Sequence, residues 1–154
     1  MELLNDFTTS VRKALSEIDP KWESYPGLVI CGTHTPHDIE EMLEKIRIAR
    51  AIGRPYLGIC AGYQLGAIQW ARDIAGIKDA TSEEFGKGTY VVKKLAKLKV
   101  GLHDGESYWN NYEVVIDWEK PAHFFTCQFH PEYQSSKERP HPLLIQFINY
   151  CKNY

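Results

Sequence analysis

The sequence has no CxxC pair among its four cysteines, Cys31, Cys60, Cys127 and Cys151, which sets aside zinc knuckles and thioredoxin-type redox motifs. It has no apolar run near the roughly 18 residues that a membrane span requires. It has no GxxxxGK[ST] loop to cradle nucleotide phosphates. Neither sign of charge is in excess: 18 basic against 20 acidic side chains leave −2. That balance offers no electrostatic footprint for nucleic acid or for an anionic membrane as partner. Internal repeats and low-complexity tracts are also missing. The N-terminal MELLNDFTTSVRKAL is amphipathic and acidic early, unlike a secretory signal. Together these absences predict a cytoplasmic setting, where thiols stay reduced and one of the four is available as a nucleophile.

What is present is ordinary for a globular chain, with 44% apolar and 25% charged residues. A length of 154 residues predicts a single domain over 1–154 with a substantial core. Phe7, Val11, Ala14, Leu15 and Ile18 recur at helical spacing from Asp6 or Thr8 to Ile18, and Asp19-Pro20 ends that helix. Leu28 to Cys31 reads as a short buried strand. A second helix starts between Thr35 and Asp38, buries Ile39, Met42, Leu43, Ile46 and Ala49, and stops at Gly53. Pro55 to Ile59 is a second buried strand, followed at once by a helix from Ala61 to Ile74. Thr89 to Val92 and Leu98 to Leu102 are strand candidates separated by a solvated, lysine-rich stretch. Tyr112 to Trp118 and Phe124 to Phe129 are better ones, and Pro142 to Tyr150 is a closing helix. The alternation of strand and helix predicts an α/β fold with a mostly parallel sheet flanked by helices, whose ligand sits at the carboxyl ends of the strands.

Two motifs carry chemistry. Gly58-Ile59-Cys60-Ala61-Gly62 joins a strand to a helix through the G-x-nucleophile-x-G pattern of a sharp elbow, which lifts its central side chain above the sheet. The helix that follows aims its first amides at the sulfur and favours its anionic form. Taken alone, such a cysteine is as often a buried structural one. His130-Pro131-Glu132 ends a strand with a base and, two residues on, a carboxylate that can orient it. Alone it is weak; with the elbow it forms a Cys-His-Glu set, because strand ends converge on one crevice.

At this point LGICAGYQ (57–64) and CQFHPEY (127–133) resemble the nucleophile and His/Glu motifs of the class I glutamine amidotransferases. More narrowly they resemble the glutaminase domain of CTP synthases. ELLNDFTTSVRKAL, RPYLGICAGYQLGAIQWAR, AGIKDATSEEF and HPLLIQFI extend the likeness along the chain. The resemblance implies a reduced flavodoxin-like fold, no cofactor and no metal. It implies that Cys60 forms a γ-glutamyl thioester, that His130 is general base then general acid, and that Glu132 orients it. The oxyanion amides would be those of Gly32 and Ala61. Gln64 and Glu84 would hold the substrate, a glutamine-type amide, and the ammonia would go to water or to a partner synthetase.

Three departures qualify that expectation. Where the family reads H-R-Y-E-V, the chain reads Asn110-Asn111-Tyr112-Glu113-Val114, so Asn111 replaces the arginine that grips the substrate carboxylate. Losing a charge-assisted pair of that kind costs about 1.5–3 kcal/mol. Lys87, His103 or a histidine of the Gly32–His37 loop can stand in, or the substrate differs there. That loop, Cys31-Gly32-Thr33-His34-Thr35-Pro36-His37, carries two histidines at a spacing that is not a standard zinc pattern. Finally, the chain starts at its first helix, with no room for the strand that precedes it in the family. A partner chain, a second copy or Met1–Leu4 would have to cover the exposed row of backbone groups. The synthetase domain of CTP synthase is not among these residues. Two alternatives stay open: a stand-alone thiol hydrolase or transferase for another amide or γ-glutamyl compound, and a non-catalytic binding module.

Overall fold

A computed structural model describes residues 1–33, 38–103 and 106–154, with the backbone alone for 96–103 and 106–111. Among these residues seven strands and four α-helices follow in the order β1 (Glu2–Leu4), α1 (Thr8–Ile18), β2 (Leu28–Ile30), α2 (Ile39–Ile52), β3 (Tyr56–Ile59), α3 (Ala61–Asp73), β4 (Ala80–Ser82), β5 (Thr89–His103), β6 (Glu106–Val114), β7 (Phe124–Cys127) and α4 (Pro142–Lys152). Strands β1-β2-β3-β7 form one sheet, every pair parallel. Strands β4-β5-β6 form a smaller sheet beside it, with β5 and β6 antiparallel. This is the expected α/β, flavodoxin-like arrangement.

The central strands β2 and β3 are continuously apolar and buried on both faces. Side chains alternate across the sheet. Val29 and Cys31 of the β2 segment and Leu57 and Ile59 of β3 join Val11, Ala14, Leu15, Phe147 and Ile148, the inner faces of α1 and α4. Leu28, Ile30 and Tyr56 point the other way, into Met42, Leu43, Ile46, Leu65 and Ile68 of α2 and α3. The helix ends follow local chemistry. Asp38 caps α2 by accepting from the Glu41 N–H at 3.0 Å, and Gly53, with φ 73°, closes it in the left-handed conformation. At α4, Pro142 takes the first turn and the His141 ring accepts from the Leu143 N–H at 3.1 Å.

The strand for which the sequence showed no room is supplied by the chain itself. Glu2, Leu3 and Leu4 pair in parallel with Leu28, Val29 and Ile30. Three residues suffice because both ends are tied down. The Glu2 carboxylate accepts from Lys45 at 2.8 Å and Arg54 at 3.2 Å, contacts that hold it below the usual carboxylate range. Beyond β1, Asn5 turns the chain with φ 77° and donates its side-chain amide to the Cys31 carbonyl at 3.0 Å. That turn delivers Phe7 to the carboxyl edge of the sheet.

The second half differs from expectation in three places. Strand β5 runs unbroken through the lysine-rich stretch, with a register shift between Lys94 and Lys99. Lys93 and Lys94 are exposed as expected but pair in register with Glu113 and Tyr112 of β6, so solvated side chains and strand geometry coexist. Strand β6 spans Glu106–Val114 rather than Tyr112–Trp118. Asn110 and Asn111, poor strand formers by propensity, lie inside it because the ribbon's ladder outweighs that preference. Strand β4, three residues long, carries no alternation long enough to read from sequence.

Candidate active site

Cys60 stands between β3 and α3 with φ 56° and ψ −105°, a conformation costly for any residue with a Cβ. The strain is held in place from both sides. The Cys60 N–H donates to the Cys127 carbonyl at 2.8 Å, and its own carbonyl accepts from the Gln64 N–H at 3.2 Å. The flanking glycines allow α3 to begin this close to the sheet. A Cβ on Gly58 would sit 2.7 Å from the Gly62 carbonyl oxygen, and one on Gly62 would overlap the Ile30 carbonyl of β2. Tyr56, fully buried, donates its hydroxyl to the Gly62 carbonyl at 2.6 Å and locks the elbow from below. Replacing Cys60 by glycine should therefore stabilise the fold by about 1 kcal/mol while removing the thiol. A thermal melt checks this, and an unchanged or lower melting temperature would show that the elbow is not strained.

Burial separates the four thiols. Burial pushes Cys31 up to about 12, helped by the Glu132 charge, and raises Cys151 to about 12 and Cys127 well above its ordinary value. Cys60 alone is half-exposed.

His130 stands at the end of the β7 segment, where Cys60 is close enough to help raise its imidazole. Its Nδ1 lies 2.7 Å from Glu132 Oε1, which leaves the other ring nitrogen for the sulfur. Glu132 is buried, its side chain fully covered. Burial pulls His130 down, but the hydrogen bonds and charges of Cys60 and Glu132 outweigh it and raise the imidazole to about 10. Phe7 meets the ring edge-on at 6.0 Å between centroids, and Tyr133 lies over it at 5.4 Å. Gly32 completes the cradle: a Cβ there would come within 2.8 Å of His130 Cε1 and 2.9 Å of Phe7. Ala61 is the first residue of α3, so no helical carbonyl can take its N–H.

Gln64 is wholly buried, one helical turn beyond the elbow. Its amide nitrogen donates to Glu84 at 2.8 Å and to Gln128 at 3.2 Å, and its carbonyl accepts from the Ser82 hydroxyl at 2.7 Å. Glu84 is half-buried, and burial raises its carboxyl despite the Gln64 bond. Tyr112 lies nearby; burial and the charges of Glu84, Glu83 and Cys60 all raise its hydroxyl.

The structure thus brings together Cys60, His130, Glu132, Gly32, Ala61, Gln64 and Glu84. The Asn111 and His103 side chains and the loop residues His34 to His37 lie outside what is described, while Lys87 is exposed. Among the described residues no cluster of His, Cys, Asp and Glu is arranged to hold a metal. Sequence reasoning passed over Ser82, Phe7, Tyr133 and above all Gln128, whose Nε2 lies 3.4 Å from the Cys60 sulfur. The available signal was its place two residues before His130, on a segment already aimed at the crevice.

The elbow thus stands on a parallel α/β sheet with a His-Glu pair beside it. A family model described as glutamine amidotransferase class-I matches residues 6–118, and the chain belongs to that family. The matched stretch holds Cys60, Gln64 and Glu84 and ends before His130.

CTP synthases are among its curated relatives. That of Methanoculleus marisnigri is 33% identical over 178 residues, covering 82% of this chain and 34% of that protein. That of Encephalitozoon cuniculi is 31% identical, covering 83% and 34%. The chain therefore spans about a third of the length of the curated relatives it matches. The fold is similar to that of the glutaminase domain of Trypanosoma brucei CTPS, solved with bound acivicin. The TM-score is 0.74 at 15% identity, over 99% of this chain and 94% of that one. No helix among the described residues is long and apolar enough to cross a membrane.

Proposed function

We propose that the protein, as a single domain, hydrolyses the side-chain amide of glutamine or a close γ-glutamyl relative through a thioester on Cys60. One observation carries this reading: the one half-exposed cysteine sits on a strained elbow beside a histidine that a buried glutamate holds at 2.7 Å. Glu132 and Cys60 both raise the imidazole, to about 10, so His130 is well placed to accept a proton. His130 takes the Cys60 proton as general base. The sulfur attacks the amide carbon, and the oxygen gathers charge within reach of the Gly32 and Ala61 amides. His130 gives its proton to the departing nitrogen, so ammonia leaves and the thioester remains. His130, now neutral, takes a proton from water, and the hydroxide equivalent opens the thioester. Gln64 and Glu84 form the wall that receives the amino-acid end of the substrate, with the Glu84 carboxylate suited to an α-ammonium.

The relatives' printed activity supports a partner synthetase, or a second copy, as the consumer of the ammonia. The setting that fits this chemistry is the cytoplasm. The test is ammonia release from glutamine by the wild type and by Cys60→Ala. Release that disappears in the variant is the expected result. Equal release from both would overturn the reading, and none from either would move the substrate to another γ-glutamyl amide if Cys60 still reacts rapidly with an alkylating agent.

A further inference from the structure

Gln128 brings a polar side-chain atom against the Cys60 sulfur, and the direction of its amide is set by a chain of bonds. The chain starts at the Glu84 carboxylate, which only accepts and so faces the Gln64 amide nitrogen, at 2.8 Å. The Gln64 carbonyl oxygen then points to the Ser82 hydroxyl, which donates to it at 2.7 Å and itself accepts from the Glu84 backbone N–H at 3.1 Å. The same Gln64 nitrogen donates to the Gln128 carbonyl oxygen at 3.2 Å. With its oxygen committed to Gln64, Gln128 presents only its NH₂ to Cys60, at 3.4 Å. Each link has one polarity, and the last one faces the sulfur with a donor.

We propose that Gln128 is a further catalytic residue, a second donor that holds the Cys60 sulfur as an anion alongside His130. The inference rests on Cys60 being the nucleophile, as read above. A donor to an anion is worth more than one to a neutral group, and more again at a partly dehydrated site. The sulfur is then gripped from two sides. His130 gives up its proton to the departing amide nitrogen, while Gln128 keeps its donor on the sulfur through both steps. Because Glu84 and Gln64 belong to the same chain of bonds, an ammonium arriving at Glu84 pulls on the group that holds the nucleophile.

The experiment is the rate at which iodoacetamide labels Cys60, followed by peptide mass spectrometry across pH, which needs no substrate. Gln128→Met keeps the size of the side chain and removes the donor; the labelling rate at pH 7 is expected to fall about tenfold and the pH–rate profile to move to higher pH. Gln128→Glu reverses the polarity at the sulfur and is expected to slow labelling further; it carries the test if the methionine variant does not fold. Folded variants labelled as fast as wild type, with an unmoved profile, would overturn the role of Gln128 and leave the nucleophile standing. A wild-type Cys60 no more reactive than a free cysteine would instead overturn the functional reading itself.

Discussion

Replacing Glu132 by glutamine is expected to lower turnover about a thousandfold with little change in the fold. The substitution keeps the shape of a buried side chain and removes only its charge. In the wild type that charge, 2.7 Å from His130 Nδ1, is one of the two partners that lift the imidazole to about 10 against the pull of burial. Without it the imidazolium beside Cys60 loses its buried counter-ion, and the proton needed by the leaving nitrogen is no longer held at neutral pH.

The same shift makes a claim about stability. His130 is raised above its ordinary value of 6.5, so its contribution to stability is complete below pH 6.5 and is lost as pH rises through about 10. The melting temperature of the wild type should exceed that of Glu132→Gln most at pH 6, and the gap should narrow toward pH 10. A gap of the same size at both pH values would mean that Glu132 acts through packing rather than through the charge of His130.

The elbow and its base were legible in the sequence because both are local. Gly58-Ile59-Cys60-Ala61-Gly62 contains its own explanation: each small residue answers a contact within a few positions or from the adjacent strand. His130-Pro131-Glu132 is as compact, and the Nδ1 bond spans only two residues. What sequence could not reveal depends on distant pairing. Glu2–Leu4 is too short to show a period, and becomes a strand only because Lys45 and Arg54, more than forty residues away, hold Glu2. Ser82 lies on a three-residue strand and Gln128 on a tight segment, and neither has a chemistry of its own to announce. Their meaning comes from the bonds that link them to Gln64, which join positions 18 and 64 residues apart. Lysine 93 and lysine 94 show the opposite error, where exposed charge read as loop is the solvent face of a ribbon.

The elbow also supplies the substitution with the largest expected effect on the fold. Gly62→Ala adds one methyl group, and that group would overlap the Ile30 carbonyl oxygen, with the Ile30 carbonyl carbon at 3.0 Å and Cβ at 3.1 Å. Strand β2 cannot retreat, because it is paired to β1 on one side and β3 on the other. The first turn of α3 must lift instead, against the Tyr56 bond to the Gly62 carbonyl and the Cys60 bond to Cys127. A loss of about 3 kcal/mol is expected, at the upper end for one added methyl because the obstacle is backbone. Lifting the turn also displaces the sulfur and the Ala61 amide together, and a shift near 1 Å costs about a hundredfold in rate even where the protein remains folded. Gly66→Ala is the control on the same helix. Its methyl would meet only the Trp118 ring edge at 3.1 Å, a side chain that can give way, and the added helix propensity offsets much of the crowding. Denaturant unfolding of the two variants should therefore separate them by about 2 kcal/mol or more. Equal stabilities would show that the close approach of α3 to β2 does not hold the elbow in place.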